Sequence, residues 1–369
     1  MNNNQQKITE NVGLTFDDVL MLPNYTDTKR QDISLKTRLT EKISLDIPIL
    51  SSPMDTVTTA PMAIAIAKLG GMGFIHRNLT IDQQKEEIKI VKEGNHLVSA
   101  AVGVGKDLAE RVSSLVSAGT NVILIDSAHG FSKWVIEAIE FISQKYPNIE
   151  IIGGNIATAE AAEKLIAAGA NALRVGMGPG SICTTRVISG MGVPQITAIM
   201  EVYTVAKKHN IPLIADGGIK SSGDIVKAIA AGADTVMLGS LLAGADEAPG
   251  EKVTLPAGRQ GINKKEFKRY RGMGSVAAMM EGGAARYGQE YVKGKEKTLI
   301  AEGVEGLVPY KGSLEDIITQ LTGGLRTGMY YAGVKNIEEL KTKTKFLKIT
   351  QSSLIENHPH DIILEANSQ

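Results

Sequence analysis

The stretch Leu165-Ile166-Ala167-Ala168-Gly169-Ala170-Asn171-Ala172-Leu173-Arg174-Val175-Gly176 decides the fold, because it holds three signals in one short segment. It opens on the tail of an alanine-rich helical pattern, passes Gly169, and enters the apolar run Ala172–Val175. Glycine just past a helix can adopt the left-handed conformation that closes the last turn. The same unit recurs at Ile66–Arg77, Leu115–Asp126 and Ile229–Gly239, with Gly70, Gly119 and Gly232 at the matching place. The runs that follow, such as Asn121-Val122-Ile123-Leu124-Ile125 and Thr235-Val236-Met237-Leu238, are apolar on successive rather than alternate residues. That pattern marks strands buried on both faces, as in a parallel sheet covered by helices.

Further strands are expected at Ile47–Ser51, Val98–Val104, Ile149–Ile152 and Pro212–Ala215, with helical stretches such as Ala157–Ala168 and Gln195–His209 between them. Eight strands alternating with helices imply an α/β protein, and that number suggests a closed barrel. The rival is an open doubly wound sheet, whose fingerprint is missing: Gly176–Gly180 reads G-x-G-x-G, not G-x-G-x-x-G. Gly103-Val104-Gly105-Lys106 also misses the P-loop, with Ala100 at the first glycine and Asp107 at the hydroxyl position.

The chain has 369 residues, a normal length for a barrel with insertions, and 43% hydrophobic content supports a large aliphatic core. Lys+Arg and Asp+Glu both number 40, and this zero balance argues against nucleic acid or an anionic membrane as the main partner. No apolar run approaches membrane-spanning length, and the polar start Met1-Asn2-Asn3-Asn4-Gln5-Gln6-Lys7 lacks a signal-peptide core. The single cysteine, Cys183, excludes an internal disulfide, so a reducing, cytoplasmic setting is the simplest reading.

In barrel enzymes chemistry gathers at the carboxyl ends of the strands. Here those ends carry Ser51-Ser52-Pro53-Met54-Asp55, His76-Arg77, Asp126-Ser127, Gly153-Gly154-Asn155, Asp216-Gly217-Gly218 and Gly239-Ser240. Asp126-Ser127 alone would also serve as a helix N-cap. The sixth strand runs into Gly176-Met177-Gly178-Pro179-Gly180-Ser181-Ile182-Cys183-Thr184-Thr185-Arg186. Buried cysteines are usually inert, but Cys183 has polar neighbours and an adjacent cation would favour its nucleophilic thiolate. Catalysis is favoured over packing. Glycine loops after strands seven and eight suit phosphate, while Asp216 suits ribose hydroxyls, so together they suggest a nucleotide.

Downstream, Arg259–Arg271 carries Arg259, Lys264, Lys265, Lys268, Arg269 and Arg271 and reads as a solvated loop. Tyr270-Arg271-Gly272-Met273-Gly274-Ser275 ends it in a turn that could contact phosphate. Glu281-Gly282-Gly283-Ala284-Ala285-Arg286-Tyr287-Gly288 reads as a mobile lid carrying an Arg–Tyr pair. His358-Pro359-His360 lacks a third metal ligand and reads as a solvated tail.

Together these segments resemble the inosine monophosphate dehydrogenase family, from Leu14-Thr15-Phe16-Asp17-Asp18-Val19-Leu20 to His358-Pro359-His360-Asp361. Ser52-Pro53-Met54-Asp55-Thr56-Val57, Gly176–Arg186, Ala215-Asp216-Gly217-Gly218-Ile219 and Tyr270–Ser275 carry the resemblance. It implies a single TIM (β/α)8 barrel over 1–369 that oxidises IMP to XMP with NAD in guanine nucleotide synthesis. Cys183 would attack C2 of the base and leave a covalent thioimidate for water to cleave. Ser52, Met54, Asn155, Arg174, Ser181, Asp216, Gly217, Gly218, Gly239, Ser240, Tyr270, Gly272, Met273, Gly274 and Glu302 would hold IMP. Asp126, Ser127, Ala128, Gly176, Met177 and Gly178 would meet NAD.

The same resemblance implies a flap within about 250–305, on which Arg286 and Tyr287 close after NADH leaves, with Arg286 as first-ranked base. Thr185 with Glu302, in Ala301-Glu302-Gly303-Val304-Glu305-Gly306, offers a second proton route. Potassium would lie among carbonyls of Gly178, Gly180 and Cys183, completed by Glu356, Asn357 and His358 of a neighbour in a homotetramer. Ala128 and Tyr331 resemble prokaryote-like members, in which NAD crosses a subunit boundary. The paired CBS modules of other members, expected near 92–96, have no room between Ile88–Asn95 and His96–Val104. Ala285 departs from the acidic or polar residue usual there, and the Arg259–Lys268 insert has no assigned role. The rivals are a GMP reductase, which needs no Arg–Tyr lid, and a non-catalytic nucleotide-sensing or nucleic-acid-binding barrel.

Overall fold

The computed structural model describes residues 9, 12–257 and 263–362. Eight parallel strands close a barrel: β1 Ile49–Ser51, β2 Met72–Ile75, β3 Ser99–Val102, β4 Val122–Ile125, β5 Glu150–Ile156, β6 Ala172–Val175, β7 Leu213–Asp216 and β8 Thr235–Leu238. Each pairs with its sequence neighbour, and β8 returns to β1 through Val236 opposite Ile49. The four glycines that end the repeated helices, Gly70, Gly119, Gly169 and Gly232, all have positive φ, from 89° to 128°. The helix expected over Gln195–His209 forms over those residues, and the one expected over Ala157–Ala168 forms over Ala159–Ala167.

Continuous apolarity follows from the two-sided burial of each strand. Leu50, Phe74, Leu124, Ile152, Ile214 and Met237 form one buried cluster. Their strand neighbours Ile49, Ile75, Ile123, Ile125, Ile151 and Val236 pack in the cluster shared with the helices. The first cluster also takes in Leu39, Ile43 and Leu45 from the small antiparallel pair Thr37–Arg38 with Ser44–Leu45, so that hairpin packs into the barrel interior. Residues 92–96 are the end of helix Ile81–Glu93 and the short connection to β3.

Two expectations are corrected. The fifth strand does not stop before Gly153-Gly154-Asn155; β5 runs to Ile156, paired with β6 and irregular between Gly154 and Ile156. Glycines here serve close packing: a side chain at Gly154 would meet the Arg174 carbonyl at 2.6 Å. The basic stretch is not a solvated loop either. Residues Asn263–Arg271 form β10, the centre of an antiparallel sheet with β9 Lys252–Ala257 and β11 Glu305–Pro309. Its alternation puts Lys268 inside, where Nζ donates to the carbonyls of Ala245, at 2.7 Å, and Ala248. Arg259 lies outside the described residues.

Val19–Met21 pairs with Phe346–Lys348 and ties the two ends of the described chain together. Among the described residues no helix is long and apolar enough to cross a membrane.

Candidate active site

A cleft opens at the carboxyl end of the barrel. Strand ends and the segments 270–274, 286–287 and 302–303 build it together. β1 supplies Ser52 and Met54, β5 Asn155, β6 Arg174 and Gly176, β7 Asp216, Gly217 and Gly218, and β8 Gly239 and Ser240. The loop after β6 contributes Met177, Gly178, Gly180, Ser181, Cys183 and Thr185, with Ala128 from the loop after β4. Tyr270, Gly272, Met273, Gly274, Arg286, Tyr287 and Glu302 also line the cleft.

The loop's course follows from what surrounds it. Gly176 has φ 149°, and a side chain there would meet the Asp216 carbonyl at 2.2 Å, so glycine alone lets β6 turn beside β7. Gln195, which the sequence reading passed over, donates from Nε2 to the carbonyls of Val175 and Asp216, both at 3.0 Å, and fastens the two strand ends. Its only signal was a polar residue opening an apolar helix. Arg186 donates to the carbonyls of Met177 (3.1 Å) and Val193 (2.7 Å), bracing the loop rather than serving the thiol. Cys183, half-buried, instead donates its thiol hydrogen to Thr185 Oγ1 at 3.2 Å.

A backbone relay joins this loop to the segments around Gly274 and Glu302. Thr184 N donates to the Glu302 carbonyl (2.9 Å), Val304 N to Ile182 (3.0 Å) and Glu302 N to Gly274 (3.0 Å). Cys183, Thr185, Glu302 and the Gly272–Gly274 turn therefore share one framework, although Glu302 lies over a hundred positions from Cys183.

Buried charge organises the floor. Arg174 Nη1 donates to Asp126 Oδ1 at 2.7 Å, and Arg174 Nε and Nη2 each lie 3.0 Å from Asp216 Oδ2. Asn155 Nδ2 also donates to Asp216 Oδ2, at 2.8 Å, while its Oδ1 is buried without a partner among the described residues. Asp126 is 2% exposed and caps no helix; Ser132 caps the helix that follows. Arg286 pairs with Asp126, and Arg77 Nε lies 3.7 Å away. Burial alone would raise the Asp126 pKa, but Arg286, Arg174 and Arg77 outweigh it and hold it below the ordinary carboxylate range. Burial would lower the Arg286 pKa, yet Asp126 beside it raises it above the ordinary value, so this guanidinium stays charged.

Neither Asp126 nor Ser127 is among the residues that line the cleft. Glu356, Asn357 and His358 lie apart from it, exposed at the end of helix Gln351–Glu356. That short helix packs near Phe16–Asp18. Among the described residues no cluster of three His, Cys, Asp or Glu side chains could hold a metal.

Comparison with known proteins gives the same picture. The family model for the IMP dehydrogenase / GMP reductase domain matches residues 13–360. Inosine-5'-monophosphate dehydrogenase of Borreliella burgdorferi is 48% identical, covering 96% of this chain and 98% of its own length. The enzyme of the same name from Cryptosporidium parvum is 44% identical over 96% of this chain and 97% of its own. That of Bacillus subtilis is 38% identical, and its alignment spans 484 positions, of which about 130 face no residue of this chain. With a family model over nearly its whole length and relatives well above the identity at which folds diverge, the chain belongs to the IMP dehydrogenase family.

Proposed function

We propose that this protein oxidises IMP to XMP with NAD, in guanine nucleotide biosynthesis, by covalent catalysis at Cys183. The observation that carries the reading is the meeting of the lone thiol with the Arg286–Tyr287 flap over one cleft, with Arg286 seated on Asp126. The unpartnered Asn155 Oδ1 and the Asp216–Arg174 pair provide polar groups for a nucleotide. Glycines at 217 and 218, both at positive φ, let a phosphate-bearing ligand approach the backbone.

Cys183 thiolate adds to C2 of the hypoxanthine ring. The C2 hydride and its electron pair pass to NAD, giving NADH and a thioimidate. Water then adds at C2, a proton leaves it, and the C–S bond breaks to release XMP and the thiol. Dividing one hard oxidation into two steps is what the nucleophile supplies. Asp126 has two successive uses: it would bind ribose hydroxyls of NAD with the flap open, and Arg286 with the flap closed. These states exclude each other, so hydride transfer and hydrolysis occur in turn.

The charge on Arg286 bears on which group takes the water's proton. An arginine held protonated by Asp126 acts as a base only if it leaves that carboxylate, whereas Thr185 already contacts Cys183. Arg286 and Tyr287 remain the first reading, and Thr185 with Glu302 is the second route. Potassium would be held by carbonyls of Gly178, Gly180 and Cys183. Gly180 O accepts one bond, from Cys183 N at 3.0 Å, and a carbonyl has a second lone pair. The exposed Glu356, Asn357 and His358 would complete that site from a neighbour in a homotetramer. Val187 (84% exposed), Ile188 and Met191 provide apolar surface beside the catalytic loop for the same assembly.

The test is NADH formation from IMP and NAD with potassium or sodium, run beside GMP with NADPH. NADH that depends on IMP and potassium supports the whole reading. NADPH oxidation with GMP alone would support a reductase, and silence in both from protein that binds IMP would support a sensor.

A further inference from the structure

Two guanidiniums claim one carboxylate oxygen. Arg77, at the end of β2, places Nε 3.7 Å from Asp126 Oδ2, and Arg286 Nη1 pairs with that same Oδ2. Arg174 holds the other oxygen. Arg77 is held by Gly103, on which it packs so closely that a side chain there would meet Nη1 at 2.6 Å; the two arginines are equally buried, at 14% and 13% side-chain exposure. Arg286 instead rides on the turn Gly283–Tyr287, bounded by Gly282 and Gly288 in the left-handed region. A fixed cation and a movable one thus share an acceptor, and like charges in a partly desolvated site repel. Burial lowers the Arg77 pKa below its ordinary value, Asp126 raises it and Arg286 lowers it again. With the flap seated, three arginines face Asp126 and Asp216; with it lifted, two remain against two carboxylates.

We infer that Arg77 is a positioning residue that acts through Asp126 as a counterweight to the flap, weakening the Asp126–Arg286 pair so that Asp126 stays accessible to NAD. This rests on the proposed oxidation, in which flap and NAD take turns on Asp126. It does not require Arg77 to touch either substrate.

The experiment reads the NAD concentration that half-saturates the pre-steady-state burst of NADH, at saturating IMP. It compares wild type, Arg77→Gln, Arg286→Ala and the double variant. Arg77→Gln should raise half-saturation by about fivefold or more, as the flap closes more tightly. In the Arg286→Ala background the same change should do nothing, because the flap has lost the group that Arg77 opposes. Arg77→Lys, which keeps the charge, should stay near wild type. If Arg77→Gln does not fold, Arg77→Met fills a similar volume without charge and must give the same result. An unchanged half-saturation overturns the inference. So does an equal rise in both backgrounds, which would make Arg77 a direct NAD ligand, and so does Arg77→Lys behaving like Arg77→Gln. Wild-type protein forming no NADH from IMP would instead fail the functional reading, before Arg77 is reached.

Discussion

Asp126→Asn changes almost no volume and removes one charge, and its effect can be worked from the structure. Asp126 is 2% exposed and faces Arg174, Arg286 and Arg77. Arg174 keeps Asp216 at 3.0 Å, so the loss falls chiefly on Arg286 and Arg77. Removing one partner from a buried ion pair costs about 3–5 kcal/mol. Because Arg174 remains paired, the lower end applies, about 3 kcal/mol, a sizeable share of the roughly 5–15 kcal/mol that holds a domain together. A thermal melt should show the midpoint falling by about 4 °C, since the unfolding entropy of a chain this long is large. The sign of the pH effect follows from the pKa direction. The folded value of Asp126 lies below the unfolded one of about 3.9. Its contribution is therefore present above about pH 5 and is lost as pH falls through the folded value. Asp126→Asn should flatten that acid limb, and adding Arg286→Ala should recover part of the lost stability by removing one uncompensated cation. A single variant melting within about 1 °C of wild type would refute the argument that this carboxylate carries the three arginines.

Cys183→Ala should abolish turnover while IMP binding, followed by calorimetry, stays measurable; retained activity would exclude the covalent route. Arg286→Ala should still give a burst of NADH but cut the steady rate by about 10²–10⁴-fold, the usual weight of a proton-transfer group. An unchanged steady rate removes Arg286 from that role. His76, buried beside Asp55 and Arg271, has its pKa lowered to about 4, first by burial, with Asp55 raising it and Arg271 lowering it. The unfolded state then binds more protons between about pH 6.5 and 4, so wild-type stability falls as pH drops through that window, and His76→Gln should reduce the slope measured by urea titration at several pH values.

How much of this was readable from residues depends on the range of the physics involved. The barrel was, because helix ends, glycines at 70, 119, 169 and 232, and doubly buried strands are local signals. The strand ends therefore also pointed at the face where the cleft opens. Gly154 and Asn155 misled, because glycines usually interrupt a strand and only the neighbouring Arg174 backbone explains their place inside one. The basic run was misread for a similar reason: alternation within β10 hides Lys268 from solvent, and its carbonyl acceptors lie about twenty positions upstream.

Periodicity, a unique cysteine and a family resemblance over nearly the whole chain made the architecture, the candidate nucleophile and most residues of the cleft lining legible from the residues alone. The electrical state of the site emerges only from the folded arrangement. That Asp126 serves three arginines, that Arg186 braces a loop instead of the thiol, and that Arg286 is held charged all depend on distances between elements far apart in sequence. Electrostatic energy depends on separation and burial, and neither is encoded in any single stretch of residues.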